Sequence, residues 1–102
     1  MKMTNEKLVE IVKEQCETIV AVLKRHAATT TKKKEMESYR TRACGKLQGI
    51  IEMTISIYAA EYVNDDNAYW QKTEELRTYE DEIEKRITKV FLDWYEEQLN
   101  ND

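Results

Sequence analysis

Few residues in this chain have the types and spacing that chemistry needs. Its one histidine is His26, and an imidazole acting as general acid or base needs an orienting polar group and a substrate within hydrogen-bond reach. The only arginine preceding it is its neighbour Arg25, so His26 reads as a packed residue near a helix end. The chain has 20 aspartates and glutamates, yet none falls in the Glu-x-x-His spacing of di-metal bundles or the H-E-x-x-H spacing of zinc sites. No metal or cofactor is expected. Gly45 and Gly49 are the only glycines, too few for a phosphate-cradling loop. Cys16 and Cys44 stand far apart without CxxC spacing, as reduced, partly buried thiols do. The residues point away from an enzyme.

Binding chemistry is better represented. The net charge of −4 hides an asymmetry, because eight basic residues from Lys24 to Lys46 face only Glu35 and Glu37. Within that basic segment Lys32, Lys33, Lys34, Arg40 and Arg42 are the candidates for holding nucleic-acid phosphates. Against this stand the acidic balance of the whole chain, the lack of helix-turn-helix spacing, and lysines at a helix start, where they oppose the dipole. From Glu74 onward the charge reverses, with Glu74, Glu75, Glu80, Asp81, Glu82, Glu84, Asp93, Glu96 and Glu97. Such a run can face a basic groove on another protein and steer encounter.

The elements that carry these residues are helical. Leu8, Val12, Gln15, Ile19, Val22 and His26 recur at spacings of four and three, which predicts a helix over 5–27 with Thr4 or Asn5 as its cap. Thr29, Thr30 and Thr31 suggest a break. Met36, Arg40, Ala43, Leu47, Thr54, Tyr58 and Tyr62 predict a second helix over 33–63. Asn64, Asp65, Asp66 and Asn67 are turn formers and caps. Leu76, Tyr79, Ile83, Ile87, Val90 and Trp94 predict a third over 68–99. Ile51, Met53, Ile55 and Ile57 also alternate as a half-buried strand would, but no other segment offers a pairing strand, so helix is preferred.

These elements define one all-α domain over 1–102, an antiparallel three-helix bundle with long helices. At about 1.5 Å per residue the first helix is roughly 35 Å long and the others approach roughly 50 Å. The mismatch predicts an overhang carrying Ile57, Tyr58, Tyr62, Tyr69 and Trp70. Tyr58, Tyr62, Tyr69 and Trp70 are the candidate partner-binding anchors, since these rings combine large contact area with a polar tip. The competing reading packs them on one another and on residues 1–8 as core.

The run from Gly49 to Ala60, GIIEMTISIYAA, holds Glu52 as its only charge, and a helix so apolar needs cover on several sides. Gly45, Gly49, Met53, Ser56 and Ala60 fall near one face. Glycine inside a helix costs about 1 kcal/mol relative to alanine, so close approach of another helix is expected, from this chain or a second copy. Dimerisation through the central helix follows as an expectation. With neither a signal-peptide core nor a membrane-length apolar run, the sequence suggests a cytoplasmic, homodimeric protein-binding module without membrane contact. Its expected role is a small regulator or inhibitor of a larger complex, including one that handles nucleic acid. The alternative is a nucleic-acid-binding accessory protein using Lys24 to Lys46.

Overall fold

In the computed structural model, which describes residues 4–101, the chain forms α1 (Asn5–Thr29), α2 (Lys33–Glu61) and α3 (Asp66–Asn100). Among the described residues there is no strand. Local chemistry sets two of the helix starts. The Thr4 side chain accepts from the Lys7 N–H at 3.2 Å, and Asp65 accepts from the Ala68 N–H at 3.1 Å, each satisfying a first-turn amide. Lys32 gives α2 no side-chain cap. The first loop is held from a distance instead: the Trp94 indole N–H donates to the Thr30 carbonyl at 2.7 Å, inside the protein.

The stretch with strand-like alternation is helical. The Thr54 and Ser56 hydroxyls donate to the Ile50 and Glu52 carbonyls one turn back, at 2.8 and 3.1 Å. Leu47, Ile51, Thr54 and Tyr58 are the buried positions of this part of α2, at spacings of four and three.

Cross-helix contacts fix the register. Asn5 meets Tyr62 and Glu61, and His26 stacks on Tyr39, so α1 and α2 run antiparallel. Arg77 pairs with Glu52 and Arg40 lies over Phe91, so α2 and α3 do as well. Lys13 lies over Tyr79 and Arg86 pairs with Glu17, which sets α3 parallel to α1. The three helices pack against one another as a rod of 59 × 26 × 17 Å. Along its axis lie Cys16, Val20 and Leu23 of α1, Met36, Leu47 and Ile51 of α2, and Ile83, Ile87 and Trp94 of α3. No helix among the described residues is long and apolar enough to cross a membrane.

The overhang differs from expectation. In the orientation that satisfies both amide atoms, Asn5 accepts from the Tyr62 hydroxyl and donates to the Glu61 carboxylate at 2.7 Å, so the first turn of α1 is level with the last of α2. Helices of 25 and 29 residues differ by about one turn, roughly 6 Å. Only the 35-residue α3 outruns its neighbours. With Trp94 held beside Thr30, its excess is shared between its first turn and the residues after Trp94. Of residues 1–8, Met1–Met3 lie outside the described residues, while Leu8 packs against the core.

Candidate interaction surface

The four aromatic anchors separate. Tyr58 is a correction: it is 2% exposed and belongs to the core, because α1 reaches far enough to cover it. Tyr62 is half-buried and tilted against Tyr58, with ring centroids 6.1 Å apart. Tyr69 is half-buried and meets Trp70 edge-on at 5.2 Å. Trp70 is 66% exposed.

Trp70 stands at the mouth of an open groove between α2 and α3, of about 510 Å³, lined also by Ile55, Tyr69, Thr73, Glu74 and Arg77. The Thr73 hydroxyl is buried there without a hydrogen-bond partner among the described residues. Thr18, Thr54 and Thr78 each donate to the carbonyl one turn back. On the groove edge Arg77 bridges Glu52 at 2.7 Å and the buried Glu80 at 3.0 Å. The single charge of the Gly49–Ala60 run is thereby turned toward α3 and neutralised.

The outer face of α2 is open. Gly45, Gly49, Met53, Ser56 and Ala60 are all exposed, Met53 by 67%, with Ile57 beside them at 40%. A methyl group on either glycine would meet nothing within 4 Å. Close approach by another helix of this chain is therefore not what the glycines serve. Neither has a positive φ, so alanine at Gly45 or Gly49 is expected to stabilise the isolated chain by about 1 kcal/mol each, measured by urea unfolding at submicromolar concentration.

The basic segment is partly engaged by the fold. Lys33 pairs with Glu37 at 4.0 Å and lies over the Tyr95 ring, and Arg40 lies 4.9 Å from the Phe91 ring centre. Lys32, Lys34 and Arg42 are exposed and make no ion pair among the described residues. His26 stacks on Tyr39, with centroids 3.7 Å apart and planes at 5°. Both rings share a groove of about 210 Å³ between α1 and α2 with Arg42 and Lys46.

Both cysteines are free thiols, and burial pushes each upward, Cys16 from 9.0 to about 11. Burial likewise raises the Tyr58 and Tyr79 phenols above 10.0. These shifts have one sign. As pH rises through 9 the unfolded chain gives up thiol protons that the native chain still holds, so this contribution is intact below pH 9 and is lost between pH 9 and 11. Cys16 alone contributes on the order of 2 kcal/mol of that loss. Urea midpoints across this range check it, and a Cys16→Ala variant is expected to show a shallower decline.

Sequence reasoning missed the share of Ile55, Thr73 and Arg77 in the Trp70 groove, and the share of α1 in the open face beside α2. Both depend on which helix sides meet. Spacing within one helix carries no signal of it. Comparison with protein-family models, curated proteins and solved structures finds no match.

Proposed function

We propose that this chain is a non-catalytic, cytoplasmic protein-binding module, self-associating through α2 and acting as a small regulator or inhibitor of a larger assembly. The observation that carries this reading is Trp70, a large ring left in solvent at the mouth of a mostly apolar groove. Tryptophan in such a position is the residue type most often responsible for binding energy at protein interfaces. Tyr69, edge-on to Trp70 in the same groove, supplies adjoining contact area. Glu74, Asp81 and Glu82, exposed on α3, favour a target surface with basic character, including the groove of a nucleic-acid-handling protein.

The test immobilises the wild-type chain and a Trp70→Ala variant and captures partners from native lysate, with and without nuclease. The expected result is a protein retained by the wild type after nuclease and lost with the variant. Capture that disappears with nuclease would support the alternative, nucleic-acid binding through Lys32, Lys34 and Arg42. Equal retention by both chains would remove Trp70 from the account.

A further inference from the structure

A three-helix rod has three outward grooves, and one of them runs between α1 and α2 on the side away from α3. It is about 530 Å³ around Glu14, Thr18, Lys46, Gly49 and Met53, and continues into the groove beside His26 and Tyr39. Its centre carries a projection and a hollow on the same helix. Met53 stands 67% exposed. One to three turns earlier, Arg42, Gly45, Lys46 and Gly49 have the i, i+3, i+4, i+7 spacing of a hole that accepts a side chain from a facing helix. Two of its four corners are glycine, with open space above them.

We propose that a second copy of this chain docks on this face, antiparallel, about a two-fold axis level with Gly49, each Met53 seated in the hole of the other copy. This rests on the self-association proposed above and specifies its geometry.

Three observations favour a second copy as the occupant. The shape is self-complementary, because projection and hole lie at equal distances on either side of Gly49, as a two-fold contact requires. The charges are complementary as well. Asn5 is level with Tyr62 and His26 with Tyr39, which places Glu14 close to the height of Glu52. Reversal about Gly49 then brings Glu14 of one copy to the height of Lys46 of the other, twice per dimer. Neither Glu14 nor Lys46 makes an ion pair among the described residues. The area also suffices: two helices roughly 37 Å long, spaced about 10 Å apart, present roughly 750 Å², near the ~800 Å² per partner of a stable interface. Val22, exposed on α1, falls at the height of Ile11 of the other copy and extends the apolar contact.

The experiment measures mass by light scattering and dimer dissociation by dilution, for the wild type, Lys46→Glu, Glu14→Lys, the double variant, and Gly45→Leu. The wild type is expected at twice the 12.1 kDa chain mass. Each charge variant is expected to weaken the dimer at least tenfold, the double variant to restore it, and Gly45→Leu to weaken it by filling the hole. All substitutions are at exposed positions, and unchanged helical signal confirms folding. A dimer indifferent to all four variants would overturn this geometry while leaving self-association standing. A wild type at the monomer mass would overturn both.

Discussion

Alanine in place of Trp94 is expected to lower the unfolding free energy by about 3–5 kcal/mol, a large part of the ~5–15 kcal/mol available to a domain of this size. Two effects combine. The ring is 3% exposed and packs on Phe91 with centroids 5.8 Å apart, so its removal leaves a cavity in the core. Its N–H also holds the carbonyl of Thr30, itself buried, and an orphaned buried carbonyl costs about 1–3 kcal/mol. Trp94→Phe separates the two by keeping most of the ring while losing the bond, so an intermediate loss is expected. Urea unfolding followed by helical circular dichroism gives both values. A loss below about 1 kcal/mol for the alanine variant would show that α3 is not what holds the α1–α2 link.

The second large effect is a contrast between two aromatic residues. Tyr58→Ala is expected to cost about 3–5 kcal/mol, because the ring lies between α1 and α3 beside Val9, Val12 and Leu76. Trp70→Ala is expected to change stability by well under 1 kcal/mol, since two thirds of the residue is already in water. If partner binding nonetheless fails in the Trp70 variant, stability and binding reside in different aromatic residues. The reverse pattern, a stable Tyr58 variant and an unfolded Trp70 variant, would contradict the packing described here.

Much of the fold was legible in the sequence because helical periodicity is a local property. Leu47, Ile51 and Tyr58 announce the buried side of α2 by spacing alone, and Asp65 announces the start of α3 by its capping oxygen. The helix ends differ by one or two residues: α1 continues to Thr29 rather than Ala27, and Asp65 starts α3 at Asp66 rather than Ala68. Relative helix heights were not legible. They depend on contacts between residues far apart in the chain, such as Asn5 with Tyr62 and Glu61 across 57 residues, and Tyr58 is covered because α1 and α3 meet over it. The surroundings of the basic segment depend on the same long-range packing. Lys33 has Glu37 one turn further along α2, but its contact with Tyr95 and that of Arg40 with Phe91 exist only because α3 packs there. The glycines gave the right question, and the answer required seeing that no helix of this chain lies over them.

Short links between antiparallel helices also bear on how fast the molecule forms. Three residues, Thr30–Lys32, join α1 to α2, and four, 62–65, join α2 to α3, so closing either hairpin costs little chain entropy. Only the parallel pairing of α1 with α3 spans the length of the chain, and it can follow once α2 offers both a template. A chain so dominated by near-neighbour pairing belongs among rapid folders, reaching the native state in microseconds to milliseconds. The bond from Trp94 to Thr30 would then be among the last to close.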